Sequence, residues 1–142
     1  MNLKKYWLST AAVFVIARTL VAFLFFGLIF DSVYNQHING MRAEGEELFG
    51  PAFLVTFLWS LGFVYIFSKG FQNKGLAEGL RFGLLTWAFY FLPMLVCYWA
   101  YFELPVNWLT ASLLSGFAES LVAGLLVAFI YKQKENNKAT AS

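Results

Sequence analysis

Four apolar runs fill most of this chain, at residues 7–30, 51–68, 80–102 and 107–131, with only short polar stretches between them. Crossing the hydrocarbon of a bilayer takes roughly 20 mainly apolar residues at about 1.5 Å of rise each. Inside lipid each backbone N–H and C=O must be satisfied by the protein itself, which leaves helices and closed barrels. The runs are continuous rather than alternating, the pattern of helices. The expected fold class is therefore all-α, a polytopic membrane protein built as a four-transmembrane-helix bundle. Composition agrees, since 60% of the 142 residues are hydrophobic and 13% charged. A water-soluble domain of this size is mostly surface and has nowhere to put so many apolar side chains. A single membrane-embedded domain, 1–142, accounts for the chain, with a polar tail at 132–142 that is expected to be disordered at its end. Lys4 and Lys5 ahead of the first run resemble a signal peptide. However, that run is too long, contains Arg18 and Thr19, and lacks a small-x-small cleavage site before Asp31, so a retained signal anchor is expected.

The basic residues divide unevenly among the polar stretches. Lys4 and Lys5 precede the first run, Lys69, Lys74 and Arg81 surround the second connection, and Lys132, Lys134 and Lys138 lie in the tail. The first connection sets Arg42 against Asp31, Glu44, Glu46 and Glu47, and the third has no Lys or Arg. The positive-inside bias then predicts a multi-pass protein of the cell inner (plasma) membrane with both termini cytoplasmic. Aromatic residues border the runs, Tyr6, Trp7 and Tyr131 on one side and Tyr98, Trp99, Tyr101 and Trp108 on the other. The stretch Glu103-Leu104-Pro105-Val106 is short enough to force an antiparallel hairpin of the last two helices, with Asn107 as the N-cap. The first connection is the long one, and residues 41–48 suggest a short interfacial helix before a Gly50-Pro51 break. Pro93 predicts a kink where it crowds the carbonyl of Phe89.

Glu119 is the anomaly, a carboxylate near the middle of an apolar helix. Beside it Ser112, Gly116, Ser120, Gly124 and Ala128 recur at intervals of four, with Ser115, Glu119 and Ala123 forming the neighbouring row. Helix association in lipid depends on close approach of small residues and on buried polar contacts, so this face points into the bundle. Gly75, Gly79 and Gly83 form a similar stripe at the start of the third helix, Ala52, Thr56 and Ser60 one on the second, and Ala11, Arg18 and Ala22 one on the first. Arg18 falls at the depth of Glu119. The two are expected to form an intramembrane polar centre with hydrogen bonds from Thr19, Ser115 or Ser120. Such a pair fixes helix register or handles a ligand or proton. A second group, Lys74, Glu78 and Arg81, has the three- and four-residue spacing of helical ion pairs at the cytoplasmic entry of the third helix. It reads as an interfacial charge cluster or as a lid or head-group contact.

Enzyme chemistry finds little to work with. His37 is the single histidine and Cys97 the single cysteine, too few for a bis-histidine haem, a zinc site or a disulfide. Neither a Gly-x-Ser-x-Gly motif nor a phosphate loop is present, and Ser112, Ser115 and Ser120 have no membrane histidine or lysine base. No catalytic residue, metal or cofactor is expected. The formal charge of +2 resides in the tails and gives no case for nucleic acid.

The elements Glu78-Gly79-Leu80-Arg81-Phe82-Gly83 and Gly116-Phe117-Ala118-Glu119 resemble those of a group of small, uncharacterised four-helix bacterial inner-membrane proteins. In that group a Glu-Gly-Leu-Arg-x-Gly element opens helix three and a Gly-x-x-Glu element lies in helix four. The resemblance covers about the last two-thirds of the chain, implies the four-helix fold and directs attention to Glu78, Gly79, Arg81, Gly83, Gly116 and Glu119, without implying an activity. The chain is also similar in size to small multidrug transporters, but their essential glutamate lies in the first helix, where this sequence has Arg18. Two roles are expected. One is a non-enzymatic accessory or interaction subunit of a membrane complex. The other is a small oligomeric transporter or ligand-binding protein using Arg18 and Glu119. The expected partners are the lipid bilayer and either copies of the same chain or other membrane subunits.

Overall fold

The computed structural model describes residues 2–35 and 46–132. His37, Arg42 and Glu44, most of the expected interfacial helix at 41–48, and the tail beyond Lys132 lie outside the described residues. Four long helices are present, α1 (Leu3–Ile29), α3 (Phe49–Gly70), α4 (Leu76–Tyr101) and α5 (Val106–Lys132), each long and apolar enough to cross a membrane. A one-turn helix, α2 (Asp31–Tyr34), follows α1. The chain is thus a multi-pass helical membrane protein, with no strand among the described residues.

The ends of these helices follow from local chemistry. Asn2 accepts hydrogen bonds from the amides of Lys4 and Lys5 and caps α1. Pro51 falls in the first turn of α3, where its missing N–H has no intrahelical partner to lose, so Gly50-Pro51 opens the helix instead of breaking it. Asn73 (φ 59°) and Gly75 (φ 77°) take left-handed backbone before α4, which reassigns Gly75 from the packing stripe to the turn. A Cβ there would meet only the tip of the Lys132 side chain, 4.0 Å away, and no helix backbone. At the last hairpin, Leu109 N–H donates to Pro105 O at 3.1 Å and Asn107 Oδ1 accepts from Trp108 N–H. Pro105 therefore occupies the cap position expected for Asn107, because the helix starts at Val106, two residues before a cap at Asn107 would begin it.

Helix α5 is the centre of the bundle. Of its most apolar window 44% is buried, against 17% in each of the other three long helices. Its most extensive contact is with α4, at an interface made by absent side chains. A Cβ on Gly79 would lie 2.6 Å from Ala128 Cβ and closer still to Gly124 O, and one on Gly83 would collide with Ser120 O. The two small-residue faces thus meet backbone to backbone, as association without a hydrophobic driving force requires. On the other flank Val13 and Ala17 of α1 pack with Val64 and Phe67 of α3 and with Ala123 and Val127 of α5. Lys5 Nζ donates to Tyr131 O at 2.9 Å, tying the start of α1 to the carbonyl end of α5. The ends of α1 and α5 therefore share one face of the bundle, here the termini face; α2 and the Glu103–Pro105 hairpin lie at the far face.

Two helices depart from regular winding. In α1, Val13–Leu20 and Phe25–Ile29 are π-helical, and in α4 so is Trp87–Phe91. The helix passes through Pro93, where a kink was expected, and just before it the winding widens so that Leu92 N–H reaches Trp87 O. Wider winding also corrects the predicted face of α1. Ala11 is exposed, and the buried residues are Ser9, Thr10, Val13 and Ala17, because i→i+5 bonding breaks the 3.6-residue spacing that aligned Ala11 with Arg18.

Candidate functional site

Glu119 lies on the inward face of α5 and Arg18 in the π-helical part of α1, both near mid-span. Arg18 Nη1 donates to Glu119 Oε2, and Ser115 Oγ donates to Glu119 Oε1 at 2.8 Å. Both carboxylate oxygens are engaged, and Glu119 is 4% exposed. The guanidinium carbon stands 4.8 Å from the centroid of the Trp59 ring and 5.4 Å from that of Phe91, so two aromatic rings face the cation. A lone charge at this depth is costly; here each has an opposite charge and further polar or aromatic contacts.

The remaining residues named for the polar centre separate. Thr19 Oγ1 donates to Phe14 O at 2.9 Å, satisfying a carbonyl five residues back within the π-helical stretch. Ser120 is fully buried on the α4-facing side, where its Oγ has no hydrogen-bond partner. It belongs to the packing interface rather than to the polar centre, being one helical step around from Glu119. Ser112 accepts or donates a 3.0 Å hydrogen bond with the Tyr34 hydroxyl, and Gly116 makes room for Phe91, whose Cδ1 would be 2.7 Å from an added Cβ. Burial raises the Tyr34 phenol above its ordinary pKa; the Ser112 bond opposes this and the Glu119 charge adds to it.

Tyr34, Trp59 and Phe91 complete the surroundings of the pair without having been expected from the sequence. Gly116 was the available signal for Phe91, since a glycine on an inward face implies a large group opposite. Which of the chain's 17 phenylalanines fills that space depends on the winding of α4. Tyr34 lies tilted against Phe26 with ring centroids 4.0 Å apart, reaching inward from a helix too short to leave a periodic signal.

Two clefts run from the pair toward the far face. One, of about 300 Å³, passes between α1, α4 and α5 by way of Leu95, Tyr98 and Trp108, with Glu119 at its inner end. The other, of about 630 Å³, lies between α1 and α3 and reaches Tyr34 and Asp31. Arg18, Ala22, Phe26 and Thr56 line both. Arg18 stands at their junction with its side chain 19% exposed.

The charge cluster at the termini face differs from its expected pairing. Glu78 Oε1 accepts from the Gln72 amide at 2.6 Å and Oε2 from the Lys74 amide at 2.9 Å. The carboxylate closes the turn before α4 in the manner of a capping box, and neither Lys74 Nζ nor Arg81 forms an ion pair with it. The amides lie in a turn that folds back over the first turn of α4, so they compete successfully for both oxygens. Among the described residues no group of three His, Cys, Asp or Glu side chains is placed to hold a metal. No known protein family, curated protein or solved structure matches the chain.

Proposed function

We propose that this protein binds a small ligand within the membrane at the Arg18–Glu119 centre and passes it to or from the far face. The observation that carries this reading is the position of Arg18 at the meeting point of two clefts. A pair serving only to fix helix register has no need of an open approach, whereas a ligand group must reach the guanidinium. Of the two roles expected from the sequence, the accessible charge favours ligand handling over a passive accessory subunit. The ligand class that suits the site has an anionic or strongly accepting group to share Arg18 with Glu119, and an apolar body to lie among Phe26, Phe91 and Leu95. The basic residues Lys4, Lys5, Lys69, Lys74, Arg81 and Lys132 support a cytoplasmic termini face in an inner membrane, and hence clefts that open outward.

Thiol labelling tests this reading. In a Cys97→Ser background, Thr56→Cys is exposed to a membrane-impermeant maleimide in sealed vesicles of each orientation. Labelling is expected from the outer face only. A thiol that stays unreactive from both faces means a sealed centre, and the ligand-binding reading fails.

A further inference from the structure

A third cleft, of about 480 Å³, lies at the termini face between α3 and α4, well away from the Arg18–Glu119 centre. Its volume falls within the ~300–1,000 Å³ typical of small-molecule sites. It has two chemically distinct ends. Lys74, Arg81 and Gln72 line the end near the bundle surface, while Ile66, Phe82 and Leu85 line the part that runs into the membrane span. Glu78 also borders it, but both of its oxygens are committed to the Gln72 and Lys74 amides. Two cations and one carboxylate leave the polar end net positive, and neither Lys74 nor Arg81 has an ion-pair partner among the described residues.

We infer that this cleft is a binding site for an anionic phospholipid. Its phosphate would lie against Arg81 and Lys74, and one acyl chain would lie along the Ile66–Leu85 groove. Three features favour a lipid over other occupants. The polar end lies where α3 ends and α4 begins, the depth at which head groups reside. Basic pockets between membrane helices recognise phosphate head groups through Lys and Arg. The apolar part is open along the two helices rather than closed, and so admits a chain from the bilayer. Glu78 has a supporting part: by closing the 72–75 turn it keeps Lys74 beside Arg81 without neutralising either. A soluble phosphate compound would satisfy the cations alone and leave the groove unused.

Native mass spectrometry of the detergent-solubilised full chain, titrated with phosphatidylglycerol or phosphatidylcholine, tests the proposal. Phosphatidylglycerol is expected to bind in preference. Lys74→Gln and Arg81→Gln should each weaken it by about fivefold, and Lys4→Gln, on an exposed lysine of the same face outside the cleft, should leave it unchanged. Ala77→Trp fills the cleft without altering charge and is expected to abolish binding, and thermal unfolding verifies that each variant retains its fold. Equal affinity for the two lipids, or unaltered phosphatidylglycerol binding by the Lys74→Gln/Arg81→Gln double variant or by Ala77→Trp, overturns the inference. Glycerol 3-phosphate provides the soluble arm. If it binds as tightly as phosphatidylglycerol, the ligand is a free phosphate compound and the lipid assignment is wrong.

Discussion

Breaking the Arg18–Glu119 pair from each side in turn should reveal a coupling energy. Arg18→Ala leaves a carboxylate that is 4% exposed with Ser115 as its remaining partner. An uncompensated buried charge of this kind typically costs about 3–5 kcal/mol. Arg18 itself reaches two clefts, which allows some relaxation and puts the expectation near the lower end, about 3 kcal/mol. Glu119→Gln keeps the shape and the Ser115 contact but leaves the guanidinium with Trp59 and Phe91, at about 1–3 kcal/mol. The double variant carries a neutral amide facing a small cavity and should cost about 1–2 kcal/mol less than the sum of the singles, a value near the upper end for polar pairs in membranes. Reversible unfolding in mixed detergent micelles, followed by circular dichroism, gives all the free energies required. Ser120→Ala combined with Arg18→Ala serves as the control. Ser120 is a near neighbour of Glu119 on α5 but its hydroxyl has no partner, so those two changes should add. If the Arg18 and Glu119 variants also add to within about 0.5 kcal/mol, the pair contributes no mutual stabilisation and the reasoning fails.

Two further outcomes follow from the packing and the turn. Gly79→Ala drives a methyl into Gly124 O and Ala128 and should destabilise by about 1–3 kcal/mol, whereas Gly62→Ala, with nothing within 4 Å, should be neutral or stabilising by up to about 1 kcal/mol. Unfolding measured as above checks both, and equal effects would refute the backbone-contact account of the α4–α5 interface. Glu78→Gln leaves one good acceptor for two amides, so hydrogen exchange at Gln72 and Lys74 should accelerate by about fivefold, as for a bond worth about 1 kcal/mol, with global stability little changed.

The bilayer explains why so much of the fold was legible. It demands long apolar helices and penalises stray charges, so the number of crossings, their ends to within a few residues, and the inward faces of α4 and α5 follow from composition and spacing. The same penalty made the pairing of Arg18 with Glu119 readable, since the apolar interior of the runs offers few other charges and each needs a partner. Contacts at the helix ends were less accessible. Glu78 was expected to pair with Lys74 and Arg81 because their spacing fits a helix, but Lys74 precedes α4, where its amide rather than its ammonium meets the carboxylate. Arg81 does share α4 with Glu78, but both carboxylate oxygens are already taken by the Gln72 and Lys74 amides.

Irregular winding accounts for most of what remained hidden, and its location is informative. Wider i→i+5 turns are less favourable than α-helical ones and concentrate at functional positions. In α1 such a stretch carries Arg18, and in α4 another carries Phe91, whose ring meets the same guanidinium. Pro93 supplies a local reason for the second, because it cannot donate to Phe89 O. The first contains no proline or glycine, and within it the Thr19 hydroxyl also donates to Phe14 O. A chain that needed only to cross the bilayer could continue α-helical winding there. Within this stretch Val13 and Ala17 face the core while Arg18 faces the clefts. The stretch thus carries a buried packing face and an accessible cation on consecutive residues, Ala17 and Arg18.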